Sequence, residues 1–255
     1  MKETFVDLII QRLTRDQANL SAQFHQKHAV AVARHVVVDD LLPADLAHQL
    51  VSVFPPAKKM RLLHSYGEIK MKYCAVKNTD ALLQALHQAI QDPRVVACIE
   101  RITGILHQLP DMSKQAGGVS TLLKGHYLNP HLDNSHNLNK SQYRVMNLLY
   151  YISPDWKLEN GGNYELWNER VTERIVIPCL FNRLVIMETN GRSWHAVNPV
   201  LVDKPRRCVF NYYFSEHSPT GEPYFFGASS IFFNPLFKAR PEQKIRRALA
   251  RVFKR

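Results

Sequence analysis

The sequence is short of cysteine and of negative charge, and it has no long apolar run. Four cysteines stand in 255 residues: Cys74, Cys98, Cys179 and Cys208. None belongs to a Cys-x-x-Cys pair, and three lie in apolar runs. This excludes a disulfide framework or a cysteine zinc site and predicts buried thiols in a reducing compartment. No stretch approaches the roughly 18 apolar residues of a membrane span. Met1 to Leu20 mixes charges with apolar residues and has no small-residue cleavage site, so it does not read as a signal peptide. The expected location is the cytoplasm. Neither an internal repeat nor a low-complexity segment is found. Acids are outnumbered, with 22 Asp and Glu against 33 Lys and Arg, a formal net charge of +11. That balance suits an anionic partner such as nucleic acid, a membrane surface or an acidic metabolite. It equally fits a soluble protein with a basic tail. Pro235 to Arg255 holds Lys238, Arg240, Lys244, Arg246, Arg247, Arg251, Lys254 and Arg255 against one acid, Glu242.

What is present is enough to build a core. At 45% hydrophobic and 22% charged residues the chain has the composition of an ordinary globular protein. Phe5, Leu8, Ile9, Leu13 and Leu20 recur at helical spacing, which predicts one amphipathic helix over the first two dozen residues. Ala29 to Val38 reads as extended. Leu42-Pro43-Ala44-Asp45 opens a second helix, and Pro55-Pro56 ends it. Asp80 to Ile90 and Val95 to Leu109 read as two more. Basic residues cluster from Lys58 to Lys72, a candidate for substrate contacts or simply a solvated surface.

From Gly117-Gly118 the character changes to short β-rich runs between Gly, Pro, Asn and Asp. They are Val119–Leu123, Tyr127–Leu132, Arg144–Ile152, Tyr164–Trp167, Arg174–Ile177, Arg183–Glu188, His195–Val202 and Cys208–Phe214. Strands at such spacing predict a sandwich or closed barrel. The expected organisation is a helix-rich support over residues 1–116, a β core over 117–216 and an extension over 217–255 that carries a basic amphipathic helix. The three parts are expected to make one structural domain.

One strand runs into His131-Leu132-Asp133. Residues i and i+2 of a strand share a face, so an imidazole and a carboxylate project together. His195, which starts a later β run, is the natural third ligand. Two His and one carboxylate occupy one face of an octahedral metal and leave the other open for co-substrate and O2, as in non-haem Fe(II) oxygenases. Taken singly, His131 reads as well as a packing or surface residue. Asp133 likewise reads as a turn residue before Asn134 and Ser135, and His195 as a polar residue at a strand edge.

Four ordered blocks carry a resemblance around these residues: "GHYLNPHLDN" (125–134), "YRVMNLLYYISPDW" (143–156), "ENGGNYELW" (159–167), and, within 182–214, "NRLVIMETNGRSWHAVNPV" with "RRCVFNYYF". Together they resemble the prolyl 4-hydroxylase-like branch of the 2-oxoglutarate/Fe(II) dioxygenases, and "VVVDDLLPADLAHQL" resembles the entry to that fold. The resemblance implies an α+β protein with a mainly β core. That core would be a double-stranded β-helix (jelly roll), buttressed by N-terminal helices and followed by a basic C-terminal helix. It implies Fe(II) on His131, Asp133 and His195, with 2-oxoglutarate and O2 as co-substrates and L-ascorbate as a sustaining reductant. The far carboxylate of 2-oxoglutarate needs a cation, best a planar guanidinium. The resemblance places that cation on the strand after the distal His, where Arg206 and Arg207 are adjacent. Alignment on the strand's aromatic ending favours Arg207 in one register and Arg206 in another, with the first preferred. Lys204, at the family's usual offset, precedes Pro205 in a turn. Tyr150 matches a phenol on the same carboxylate, and Tyr127 is a candidate for the pocket lining.

The activity implied is hydroxylation of an unactivated C–H with release of succinate and CO2. The substrate stays open among peptidyl proline or another residue, a small molecule, a sugar or a lipid, because fold and metal site do not fix it. Three other classes stand beside this one: a non-catalytic jelly-roll binding module, a cupin-like metalloenzyme without 2-oxoglutarate, and a nucleic-acid-modifying oxygenase. The tail-heavy charge gives no strong sign of nucleic acid. The basic C-terminal helix reads either as packed on the domain or as a peripheral membrane contact at the inner face of the membrane.

Overall fold

The computed structural model describes residues 1–31, 33–73, 76–111, 117–225 and 230–233. The expected basic helix from Pro235 to Arg255, and Cys74, lie outside the described residues. In chain order the elements are α1 (Lys2–Arg15), α2 (Gln17–His25), β1 (His35–Val38), α3 (Ala44–Ser52), β2 (Arg61–His64), β3 (Glu68–Tyr73), α4 (Ala81–Ile90) and α5 (Pro93–Thr103). Then come β4 (Leu109–Pro110), β5 (Gly117–Leu122), β6 (Tyr127–Leu132), β7 (Tyr143–Tyr151), β8 (Tyr164–Trp167) and β9 (Arg174–Ile177). Last are β10 (Arg183–Glu188), β11 (His195–Val197), β12 (Arg206–Ser215) and β13 (Ile231–Phe232).

The helices form for local reasons. α1 buries Phe5, Val6, Ile9 and Leu13 on one face. The single N-terminal helix expected from spacing is two, because the chain turns at Asp16, which leaves the helical region at φ −113°. Asp80 and Asp92 cap α4 and α5 by accepting from the amides of Leu82 and Arg94. Pro93 occupies the first turn of α5, and Gly104 ends it in the left-handed region at φ 66°.

The strands form one sheet folded on itself in the order β1-β10-β7-β12-β5-β3-β6-β11-β8-β9, with β13 added to β6, β2 to β3 and β4 to β12. Every pairing is antiparallel. One wall is β10-β7-β12-β5 and the facing wall is β6-β11-β8-β9, with β3 bridging them. This is a double-stranded β-helix. Alternation gives the larger wall two apolar faces. Outward, Leu148, Tyr150, Ile186, Val209 and Tyr213 pack with Phe5, Leu86 and Ile99 of the helices. Inward, Tyr151, Val185, Met187, Cys208 and Phe210 pack with Tyr164 and Leu166 of the smaller wall.

Each of the eight expected β runs is a strand, and four have the expected bounds: β6, β8, β9 and β10. The β2–β3 hairpin is new. Its chain segment reads in sequence only as a basic cluster, yet β3 pairs with β5 and β6 and closes the barrel. Cys98, Cys179 and Cys208 are free and buried, as expected. Among the described residues no helix is long and apolar enough to cross a membrane.

Candidate active site

The β6–β11 ladder places His195 directly opposite His131, so their ring centroids are 4.2 Å apart. Asp133 follows β6 immediately. One of its carboxylate oxygens is 3.3 Å from His195 Nε2, and the other is 3.9 Å from His131 Nε2. All three ligand atoms lie within 4.8 Å of one another. The ring orientations suit a metal. His131 Nδ1 is 2.8 Å from the Asn129 carbonyl oxygen, and His195 Nδ1 is 2.9 Å from that of Ser193. A carbonyl only accepts, so each Nδ1 carries the proton and each Nε2 turns a lone pair to the shared centre. Burial, with the neighbouring His195, pushes His131 down to about 3, which keeps it neutral. Burial alone would raise Asp133, but the Arg144 guanidinium and His195 outweigh it and hold the carboxyl well below its usual range.

Asp133 is fixed from behind. Asn147 Nδ2 donates to Asp133 Oδ2 at 2.7 Å, and an Arg144 nitrogen lies 3.0 Å from the same oxygen. Arg144 is itself locked by Nε and Nη2 donating to Asn147 Oδ1 at 2.9 and 2.6 Å, by Nη1 donating to Asn134 at 2.9 Å, and by the Tyr212 ring 3.4 Å away. A preorganised pair of imidazoles and one ionised carboxylate is the donor set that suits a non-haem divalent iron.

Next to the triad a cavity of about 90 Å3 reaches between the two walls. Arg206, Cys208, Phe210 and Tyr212 line it from alternate positions of β12. Arg206 is buried. Its Nε donates to the Gly162 carbonyl at 3.1 Å, its Nη2 lies 3.3 Å from Cys179 Sγ, and the guanidinium sits 4.6 Å from the Tyr151 ring centre. Burial opposes its charge, yet Cys179 and Tyr151 outweigh that and its pKa is raised. Among the described residues no carboxylate pairs with it. Tyr151 also lines the cavity, and its buried hydroxyl has no hydrogen-bond partner. An unpaired buried cation beside an orphaned phenol is costly unless an anion fills the space. A dicarboxylate fits it.

Three expected site residues are placed elsewhere. Arg207, favoured from sequence, leaves the opposite face of β12, and its guanidinium stands 6.0 Å from the Phe54 ring, away from the cavity. Tyr150 faces the helices and donates to Asn182 Oδ1 at 2.7 Å. Tyr127 does not line the cavity; Leu128 does. Four residues of β6, Leu128 to His131, span the same ladder as three of β11, Val197 to His195. That β-bulge at Asn129-Pro130 breaks the alternation which would have put Tyr127 on the face of His131. Sequence reasoning missed Asn147, Arg144 and Tyr151, and met Lys70 and Lys72 only as part of the basic cluster from Lys58 to Lys72. Asn147 gave a signal, as a polar residue inside the apolar run of β7. A second cavity, of about 280 Å3, opens from the triad toward solvent, and Lys70, Lys72 and Arg144 line both spaces. Lys70 is lowered by burial, which its pairing with Glu68 at 2.6 Å counters.

This geometry defines a class: a jelly-roll protein with a 2-His-1-carboxylate centre and an enclosed cation beside it. Residues 117–215 match the family described as the 2OG-Fe(II) oxygenase superfamily. Solved structures share the fold at low identity. A Pseudomonas putida prolyl-4-hydroxylase superposes with a TM-score of 0.57 at 14% identity, covering 77% of this chain and 98% of its own. The 2-oxoglutarate-dependent epimerase SnoN from nogalamycin biosynthesis gives 0.54 at 14%, covering 89% and 95%. HygX from Streptomyces hygroscopicus, solved with nickel and 2-oxoglutarate bound, gives 0.53 at 12%, covering 86% and 96%. No curated protein matches the sequence.

Proposed function

We propose that the chain is a 2-oxoglutarate- and Fe(II)-dependent hydroxylase, with iron on His131, Asp133 and His195. The observation that carries this reading is the buried Arg206, without a carboxylate partner among the described residues, in the cavity that also holds the triad. In this reading Arg206 pairs with the far carboxylate of 2-oxoglutarate and the Tyr151 hydroxyl donates to it. When bound, iron and 2-oxoglutarate supply the O2-dependent oxidation that hydroxylates an unactivated C–H as 2-oxoglutarate leaves as succinate and CO2. The protein's own part is positional. Asn129 and Ser193 fix the imidazole tautomers, Asn147 and Arg144 hold Asp133, and Leu122, Leu128 and Phe210 keep water from the co-substrate cavity. The substrate would enter through the outer cavity past Lys70, Lys72 and Asn134. Folding of residues 1–116 and 117–216 as one unit belongs to the same reading, since β3 would then complete the catalytic wall.

The test is succinate formation from 2-oxoglutarate by anaerobically iron-loaded protein, with and without ascorbate, alongside His131→Ala and Asp133→Ala. Wild type is expected to turn over slowly even without substrate, and both variants to be silent. Equal turnover by either variant would remove the triad from the chemistry. Iron binding without any 2-oxoglutarate turnover would leave a binding module.

A further inference from the structure

Arg206 is held from behind by a buried thiol that the oxidation does not use. Its Nε donates to the Gly162 carbonyl at 3.1 Å, and its Nη2 donates to Cys179 Sγ at 3.3 Å. Cys179 Sγ in turn donates to the same Gly162 carbonyl at 3.1 Å. The three groups close a ring of hydrogen bonds in which the sulfur both accepts and donates. A guanidinium anchored at Nε and at Nη2 has its plane fixed, and its carbon lies over the Tyr151 ring, 4.6 Å from the ring centre. The rest of its N–H groups have no partner among the described residues. Cys179 is fully buried, in the segment that joins β9 to β10. Gly162 has φ +64°, and its amide donates to the Pro199 carbonyl at 3.1 Å, in the connection from β11 to β12. A Cβ on Gly162 would stand 2.9 Å from Val200 Cγ2 and 3.3 Å from Arg206 Cγ. Glycine is thus what lets this carbonyl come so close to the Arg206 side chain.

A long side chain that must meet a carboxylate in one orientation loses rotamer freedom when the ligand binds, unless it is already held. We propose that Cys179 is a positioning residue for the co-substrate. Its sulfur holds the Arg206 guanidinium in the plane that meets the far carboxylate of 2-oxoglutarate, so preference for a dicarboxylic over a monocarboxylic keto-acid depends on it. This rests on the reading of Arg206 as the partner of that carboxylate. Cys179 does not line the cavity, so its effect passes through Arg206. Cys179 also packs in the apolar cluster with Tyr151, Trp156 and Cys208, and the two roles separate by ligand. Removing a packing residue loosens the cavity for every keto-acid. Removing a positioning residue weakens only those with a far carboxylate. Cys98 is the matched control. It is buried too, and its Sγ accepts from Arg101 Nη2 at 2.9 Å, but neither residue lines the cavity.

The experiment is titration calorimetry of the full chain, loaded with Ni(II) as a redox-inert metal. The ligands are 2-oxoglutarate and 2-oxopentanoate, which carries a methyl in place of the far carboxylate. The variants are Cys179→Ala, Cys179→Val, Cys179→Ser, Cys98→Ala and Arg206→Ala, each checked for folding by thermal melting. Cys179→Val keeps the buried volume should the smaller alanine fail to fold. Wild type is expected to bind 2-oxoglutarate about 100-fold or more tightly than 2-oxopentanoate, and Arg206→Ala to lose that preference. Cys179→Ala and Cys179→Val should weaken 2-oxoglutarate about fivefold to tenfold and leave 2-oxopentanoate within about twofold. Cys179→Ser, whose hydroxyl both accepts and donates, should recover most of the loss. Cys98→Ala should lower the melting temperature and change neither affinity. Equal weakening of both keto-acids overturns the proposal and leaves Cys179 a packing residue. So do unchanged affinities, or a Cys179→Ser as weak as Cys179→Ala. A preference that is missing in wild type, or that survives in Arg206→Ala, removes the reading of Arg206 and this proposal with it. A preference lost in Arg206→Ala but kept whole in the apolar Cys179 variants removes this proposal alone.

Discussion

Arg206 and Arg207 are neighbours on β12, and their side chains leave opposite faces of it. One lies beside the Tyr151 ring in the enclosed cavity, the other near Phe54 outside it. If the cavity holds 2-oxoglutarate, only Arg206 can reach it. A bidentate guanidinium–carboxylate pair makes two charge-assisted bonds, each contributing roughly 1.5–3 kcal/mol. Arg206→Ala is therefore expected to raise KM for 2-oxoglutarate about 100-fold or more, since about 1.4 kcal/mol is a factor of ten. Arg206→Lys should recover part of that loss, keeping the charge without the fork. Arg207→Ala should stay within about twofold, as a side chain that touches no cavity atom adds no binding term. Succinate release against 2-oxoglutarate concentration decides, and a large effect at Arg207 would refute the assignment. Asn147 gives a second residue-scale outcome. Its removal takes one hydrogen bond from Asp133 and loosens Arg144, so Asn147→Ala should weaken iron affinity about 10–100-fold, read by competition with a chelator. The His131-x-Asp133 pair was legible in sequence because a strand's two-residue repeat brings it to one face. The choice between Arg206 and Arg207 was not, because adjacent residues differ only in which face they take, and both readings of the strand ending were open.

At the scale of elements, two β-bulges explain most of what sequence could not supply. In β6 the extra residue puts Leu128 with His131 and takes Tyr127 off the cavity. Between β7 and β12, the step from Met146 to Arg144 faces the single step from Tyr213 to Phe214. That slip sends Arg144 inward beside Asn147, although strict alternation would send it out. Strand existence was readable from composition and turns, but parity across a bulge depends on the partner strand, which one segment cannot reveal. The β2–β3 hairpin was hidden for another reason. Its inward residues Glu68, Lys70 and Lys72 are charged, so the apolar alternation that marks a half-buried strand is missing. The tip of that hairpin also fits β13 closely. Phe232 lies 5.1 Å from the His131 ring, and a Cβ built on Gly67 would overlap its ring. Gly67 is thus required for room and not for backbone angle. Gly67→Ala is expected to cost about 1–3 kcal/mol of stability by overpacking, and to cost almost nothing in a Phe232→Ala background. A double-mutant cycle on denaturation midpoints measures this. A cost that persists without the Phe232 ring would show that the contact is not its cause.

At the scale of the whole molecule, folding stability is linked both to protons and to the metal. His35 is buried in β1, stacked 4.9 Å from His28. Burial, with the neighbouring imidazole, lowers it to about 4, against roughly 6.5 in the unfolded chain. Between those values the unfolded chain binds more protons, so stability rises with pH across that window. It is fully present above about 6.5 and lost as pH falls toward 4. The metal-free protein should therefore melt at a lower temperature at pH 5 than at pH 7.5, and His35→Phe, which keeps a ring in place and removes the titration, should narrow the gap. Metal adds to the same balance, because the triad exists only in the folded chain. At a free metal concentration near 100 Kd the folded state gains about 2.7 kcal/mol. For a protein of this size that is roughly 5–10 °C in Tm. Anaerobic Fe(II), or Ni(II) as a redox-inert substitute, should give that rise at pH 7.5. The rise should vanish in His131→Ala. The variant itself should still melt cooperatively, since His131 contributes to the metal and not to either apolar cluster. Differential scanning calorimetry on metal-free and metal-loaded samples distinguishes the outcomes. An equal metal-induced rise in His131→Ala would mean that the stabilising ion sits away from the triad, and the reading of β6 and β11 as a metal-holding ladder would fall with it.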